Sequence, residues 1–205
     1  MPIANRDEDS HDVLGTYRIV SNLKEMKQIP STHEELLKIL LYRHHILLEA
    51  RKSKKPGEFK DKNNRAGDTH FVDFNLVRGT LIKGFEYYRA LSNPFAKAAF
   101  IMFMVSEIHP FLDGNGRIAR IMMNAELVKE NQTKIIIPTV YRDDYLGALR
   151  RLTRQKDAAV YVKMLQKAHK FSATIKANDM NEAEIHLEAC NAFKEHDKAI
   201  LKIIY

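Results

Sequence analysis

Apolar positions recur at helical spacing over much of the chain. Leu36, Ile39, Leu40, Leu47 and Leu48, with His44 on the same face, predict an amphipathic helix running to about Ala50. Ser31-Thr32-His33-Glu34 ahead of it reads as a capping box, a hydroxyl at the N-cap and a carboxylate three residues on. A helix is expected over about 74–91, and Asn93-Pro94 starts another with proline at its first position. That second helix is apolar nearly all round (Phe95, Ala98, Ala99, Met102, Val105), which predicts the buried centre of the domain. Further helices are expected at about 117–130, 142–155, 157–170 and 179–203. Residues 1–30 show only a mixed pattern. Residues 51–73 are dense in Lys, Gly, Asn and Asp. Short β-prone pieces at Glu58-Phe59-Lys60 and Thr69-His70-Phe71-Val72 flank Gly67-Asp68, as a small hairpin requires. The fold class is all-α with one small β-hairpin, which must lie on the helical body because an isolated hairpin is marginally stable.

At 205 residues the chain suffices for one domain with a substantial core. The single Cys190 excludes an internal disulfide and a cysteine-based zinc site, and it suits a reducing compartment. No apolar run approaches the roughly 20 residues that cross a bilayer, so no membrane partner is expected. The polar N-terminus is unlike a signal peptide, and the default expectation is cytoplasmic. The net charge of +7 suits a nucleotide, nucleic acid or an acidic protein. Its clearest concentration, Arg51-Lys52-Ser53-Lys54-Lys55, lacks interleaved aromatics and reads as a solvated loop. Paired His44 and His45 have no partner at metal-ligand spacing, so a core reading is preferred to a metal site.

The chemistry concentrates in Ile108-His109-Pro110-Phe111-Leu112-Asp113-Gly114-Asn115-Gly116-Arg117-Ile118-Ala119-Arg120. Pro110 disfavours helix at His109, so the buried helix is expected to end there with His109 at the mouth of a loop. Gly114-Asn115-Gly116 allows positive φ and inward-turned N–H groups, an anion nest, directly before a helix whose N-terminus is a ready phosphate site. Arg117 and Arg120 stand three residues apart at the wrong end of the helix dipole, an arrangement that calls for a negative partner such as a di- or triphosphate. Asp113 supplies an oxygen ligand where Mg²⁺ bridging phosphates would need one, and His109 is the loop's side chain with a near-neutral pKa.

This segment resembles the full signature of the Fic family, His-Pro-Phe-x-Asp-Gly-Asn-Gly-Arg-x-x-Arg, without substitution. The likeness runs from about Ser31 to about His169. It includes Pro56-Gly57-Glu58-Phe59-Lys60 and the hairpin, similar to the family's target-docking flap, and Arg142-Asp143-Asp144-Tyr145, similar to its post-motif helix. The resemblance implies a Fic-fold helical bundle in three parts: an N-terminal extension over 1–30, a core over 31–170 and a C-terminal helix over 171–205.

It also implies a protein adenylyltransferase with ATP as co-substrate and Mg²⁺ as cofactor. His109 would deprotonate a target Ser, Thr or Tyr hydroxyl that attacks the α-phosphorus, and pyrophosphate would leave. Asp113 would hold the metal. Asn115 and the N–H groups of Gly114 and Gly116 would cradle the α-phosphate, and Arg117 and Arg120 the β- and γ-phosphates. Tyr145 is expected either to line the adenine pocket or to pack in the core. Ala66, Gly67, Asp68 and Thr69 would dock an extended target segment. Where many members have two prolines after the flap, this chain has Asp73-Phe74, and Thr153 stands where an asparagine is often seen.

Many members carry an inhibitory helix whose glutamate pairs with the second arginine. Ser21–Glu25 and Ser31–Glu35 partly fit that pattern, and Glu182, Glu184 and Glu188 follow the motif at a plausible distance, so an inhibitor in cis or in trans is open. UMP transfer, phosphotransfer and AMP removal are alternatives within the same motif. Gly116, where a phosphorylating relative has lysine, favours AMP transfer. A basic helical module binding nucleic acid without catalysis is the rival from another class, and the intact loop speaks against it.

Overall fold

In the computed structural model, which describes residues 6–205, the chain divides into two units, Met1–Asn131 and Gln132–Tyr205. The first opens with α1 (Arg6–Val20) and a single-turn α2 (Leu23–Met26). The mixed pattern of residues 1–30 therefore conceals helix, residues 1–5 lying outside the described residues. Its period is hard to read because the buried face of α1 joins Ile19 to Gly15 and the carboxylate of Asp12, in place of a row of apolar side chains. Gly15 is required: a Cβ there would stand 2.5 Å from the Leu47 carbonyl oxygen and 2.6 Å from that of Ile46. Only glycine lets α1 lie this close to the backbone of the next helix.

That helix, α3 (His33–Leu47), is capped one residue later than expected. Thr32 Oγ1 accepts from the Glu35 N–H at 3.2 Å, and Glu35 reaches back to the N–H and hydroxyl of Ser31 at 2.8 and 2.6 Å. Leu36, Leu40, Leu47 and Leu48 are buried as the spacing predicts, while Ile39 is only half-buried and Leu37 joins the buried face in addition. Arg43 is fully buried beside them. Its Nε donates to Glu25 Oε1 at 2.9 Å, and its Nη2 donates to the carbonyls of Glu25 and Gln28 at 2.9 and 2.8 Å, which fixes α2 against α3.

Gly67-Asp68 turns the hairpin between β1 (Arg65–Ala66) and β2 (Thr69–His70), paired Arg65 to His70 and Ala66 to Thr69. Glu58-Phe59-Lys60 is not a strand. The Lys60 N–H donates to the Pro110 carbonyl at 2.8 Å, so this stretch is tied to the motif loop instead of to the hairpin. A short 3₁₀ turn leads into α4 (Val77–Ala90). Next comes α5 (Pro94–Ile108), its N-cap Asn93 accepting from the Ala96 N–H, and then α6 (Asn115–Lys129). These two pack most extensively on each other, and α5 buries Ala98, Ala99, Ile101, Met102, Met104, Val105 and Ile108. They form the centre of the unit, and the motif loop is the connection between them.

The second unit holds α7 (Arg142–Gln155), α8 (Ala158–Thr174) and α9 (Met180–Ala189). The last helix stops well short of 203. Asn191 adopts positive φ, the Ala192 N–H returns to the Leu187 carbonyl, and the Lys202 N–H donates to Cys190 O, so the tail folds back on the helix end. No helix of the described residues is long and apolar enough to cross a membrane.

Candidate active site

Pro110 ends α5 as its chemistry requires, and His109 becomes the cap, left-handed at φ 52 and ψ 59 with its N–H on the Val105 carbonyl. Its Nδ1 lies 3.2 Å from the Ser106 carbonyl oxygen, a contact that requires the proton on Nδ1 and leaves the lone pair on Nε2. Phe71, next after β2, lies flat on the imidazole with ring centres 3.6 Å apart and planes 6° apart. Burial pushes the His109 pKa down to about 4, and the charge of Lys60 acts in the same direction against the Ser106 hydrogen bond and Asp113. His109 is thus neutral at pH 7 and able to accept a proton at Nε2.

The loop is held from four sides. The Lys60 N–H and ammonium reach the carbonyls of Pro110 and Ile108, at 2.8 and 3.4 Å, on either side of His109. Asn64 Nδ2 donates to Phe111 O at 2.9 Å. Asn115 accepts from the Phe111 N–H and donates to its carbonyl, both at 2.8 Å. His44 stacks on Phe111 at 3.8 Å, with Nε2 3.2 Å from Asp113 O and Nδ1 3.0 Å from the Gly57 nitrogen. Because Nδ1 must accept from an amide, His44 is the Nε2–H tautomer, and burial lowers its pKa to about 4. Phe111 is fully buried as an anchor.

Two expectations for the nest are corrected. Only Gly114 has positive φ, at 74; Asn115 and Gly116 are the first residues of α6. The Asn115 side chain is buried and occupied with Phe111, so what it can offer a phosphate is its backbone N–H, not its amide. The Gly114 N–H donates to Asp113 Oδ1 at 2.6 Å, which leaves the N–H groups of Asn115, Gly116 and Arg117 at the open helix end. Gly114 itself is required, since a Cβ would meet Leu47 and Leu48 at 3.1 and 3.2 Å in a left-handed backbone. Arg120 reaches back to the same end: its Nη1 stands 3.5 Å from where a Cβ on Gly116 would be.

The basic run of 51–55 does more than face solvent. Arg51 Nη1 and Arg117 Nη1 meet on Oδ2 of Asp12, at 2.8 and 2.5 Å. Arg51 Nη2 is 3.3 Å and Lys54 Nζ 4.0 Å from Asp113 Oδ2, and Arg117 Nη2 is 3.8 Å from Oδ1. Asp113 is one partly exposed carboxylate. No group of three or more metal-ligating side chains exists among the described residues.

His109, Asp113, Gly114, Asn115, Gly116, Arg117 and Arg120 thus converge on one loop and helix end. Ala66, Gly67 and Asp68 stand exposed at the hairpin tip, with Thr69 half-buried, and their link to the loop runs through Phe71. Tyr145 lies in the second unit, on α7, and is buried. Glu25 and Glu35 are engaged with Arg43 and Ser31, so neither Ser21–Glu25 nor Ser31–Glu35 reaches an arginine of the motif. Outside the motif, Asp12 does. Sequence reasoning missed Asp12, His44, Arg51 and Phe71. Of these, Asp12 alone has a signal nearby: Gly15, three residues on, marks the close approach of α1 to the backbone of α3.

The family model described as the Fic/DOC family matches residues 19–127, a span that contains the hairpin, the loop and both arginines. A Fido domain-containing protein of Dictyostelium discoideum is 31% identical over 103 residues, 48% of this chain and 72% of that protein. Protein adenylyltransferase Fic of Drosophila willistoni is 35% identical over 80 residues, but these are 39% of this chain and only 16% of the fly protein. In structure, a Fic domain-containing signalling protein from Bacteroides thetaiotaomicron aligns with TM-score 0.68 at 18% identity, over 91% of this chain and 74% of its own. Fic-1 from C. elegans aligns with TM-score 0.65 at 19% identity, over 93% and 55%. The all-α bundle with its hairpin beside the loop is shared with these structures, and the unbroken motif lies inside the matched span: the chain belongs to the Fic/DOC family.

Proposed function

We propose that the protein transfers AMP from ATP to a Ser, Thr or Tyr hydroxyl of a target protein. The observation that carries this reading is the neutral imidazole of His109, its Nδ1 proton on Ser106 O and its Nε2 unprotonated at the mouth of a helix end lined with cations. Nε2 takes the hydroxyl proton, the oxygen bonds to the α-phosphorus, the bond from that phosphorus to the bridging oxygen breaks, and pyrophosphate leaves. The N–H groups of Asn115, Gly116 and Arg117 would hold the α-phosphate, and Arg117 and Arg120 the β- and γ-phosphates. Asp113 would hold Mg²⁺, which when bound neutralises phosphate charge. The target segment would lie along Ala66–Thr69. A cytoplasmic setting accords with the single, buried Cys190.

The same reading makes α1 an inhibitor in cis, since Asp12 already occupies Arg117. Incubation with α-³²P-ATP and Mg²⁺ tests the proposal. Label on the protein or on lysate proteins that is lost in His109→Ala supports it. Label from γ-³²P-ATP alone would make the enzyme a phosphotransferase and sink it.

A further inference from the structure

Two guanidiniums aimed at one oxygen form an arrangement that phosphate fits better than carboxylate. Arg51 and Arg117 both donate to Oδ2 of Asp12, while Oδ1 of the same carboxylate is buried with no hydrogen-bond partner among the described residues. Asp12 is therefore only half satisfied where it sits. A phosphate group presents three acceptor oxygens and can take both forks at once. Lys54, 4.0 Å from Asp113 Oδ2, extends the cationic side, so Arg51, Lys54 and Arg117 stand against two carboxylates. If Asp113 turns to a metal, its carboxylate is shared between that metal and Arg51 and Lys54.

Arg51 owes its position to the chain just after α3, where its N–H on Leu48 O opens the short turn Lys52–Lys54. That turn aims Arg51 at Asp113, while Arg117 approaches Asp113 from the following turn of α6. The two arginines thus bracket the aspartate at which a metal would bridge phosphates.

We propose that Arg51, with Lys54 beside it, binds the phosphate tail of a nucleoside triphosphate, adding a clamp from outside the motif to those of Arg117 and Arg120. This rests on the reading of the loop as a nucleotide site and adds to it which residues grip the far phosphates. Binding exchanges Asp12 for phosphate on Arg51 and Arg117. No covalent change is involved.

The test is calorimetric titration of Mg²⁺-tripolyphosphate, Mg²⁺-ATP and AMP into wild type, Asp12→Asn and Asp12→Asn/Arg51→Gln. The double variant leaves no carboxylate stranded by the loss of Arg51. Asp12→Asn is expected to bind both triphosphates more tightly than wild type. Adding Arg51→Gln is expected to weaken both by about tenfold to a hundredfold, the range of a charged hydrogen bond, with AMP affinity unchanged. Arg51→Lys in the same background carries the comparison if the glutamine variant does not fold, with a smaller loss expected. Equal triphosphate affinity with and without Arg51 overturns the proposal, as does absence of tripolyphosphate binding by Asp12→Asn. Binding of GTP or UTP as tight as ATP would instead sink the adenylyl reading and leave the role of Arg51 standing.

Discussion

The ring of Phe71 lies parallel to that of His109 at 3.6 Å, so the residue that follows the hairpin also covers the imidazole. The depressed pKa of His109 is caused first by burial, and Phe71 supplies one whole face of that burial. Phe71→Ala should therefore raise the pKa from about 4 toward the ordinary histidine value. The acid limb of the kcat/KM profile should move toward higher pH, and turnover at pH 6 should fall more than at pH 8. An unmoved acid limb would mean that the stack is only packing.

Asn115 is a polar residue of the motif whose side chain faces inward. Asn115→Ala leaves the Phe111 N–H without its partner and the Phe111 carbonyl with Asn64 alone, and losing two buried hydrogen bonds costs about 2–4 kcal/mol. Asn115→Asp should also destabilise, because a carboxylate oxygen would then face the Phe111 carbonyl. Urea midpoints check both. An Asn115→Ala protein of native stability that merely lost nucleotide affinity would put the amide back in the phosphate site.

Gly15→Ala separates helix propensity from close approach. In an exposed helix interior the change would stabilise by about 0.5–1 kcal/mol. Here the new methyl collides with the backbone carbonyls of Ile46 and Leu47, so the variant should melt lower. It should also bind triphosphate more tightly, since α1 and with it Asp12 must back away from Arg117. A higher melting temperature would show that α1 does not lie against α3 in solution.

Stability should fall as acid rises, and the sign follows from both histidines. His44 and His109 each have a native pKa of about 4, below the unfolded value. Their contribution is complete above the unfolded pKa of about 6.5 and is lost as pH falls from there toward 4. Replacing His44 by Gln, which keeps a donor for Asp113 O but takes up no proton, should flatten this loss in urea titrations between those pH values. An equally steep loss would assign the acid sensitivity to other groups.

The loop was legible in the sequence because its instructions are local: Pro110 stops α5, Gly114 turns the chain, and α6 starts where the glycines allow. The same held for the apolar face of α3 and for the hairpin turn at Gly67-Asp68. What was hidden depends on partners far apart in the chain. Asp12 meets Arg117 across 105 positions, and nothing around either residue announces the other. The two partners of His44, Gly57 and Asp113, lie 13 and 69 positions away, so its sequence neighbours do not show what its nitrogens hold. The Asn115 amide was misassigned because a short polar side chain beside glycines suits a nest and a clip equally well. The end of α9 was misplaced because its stop is an asparagine in a left-handed turn, not a proline or glycine.

His109 stands at φ 52, so the residue proposed as proton acceptor is also the stop signal of α5. The usual alanine control is compromised by this, since alanine resists the left-handed turn that asparagine tolerates. Inactivity of His109→Ala mixes a missing base with a loosened helix end. His109→Asn keeps the turn and removes the imidazole, so its lost turnover, with melting unchanged, would report on proton transfer alone. If His109 is the base, the architecture and the chemistry of this loop share a single codon, and mutational drift cannot discard one without disturbing the other.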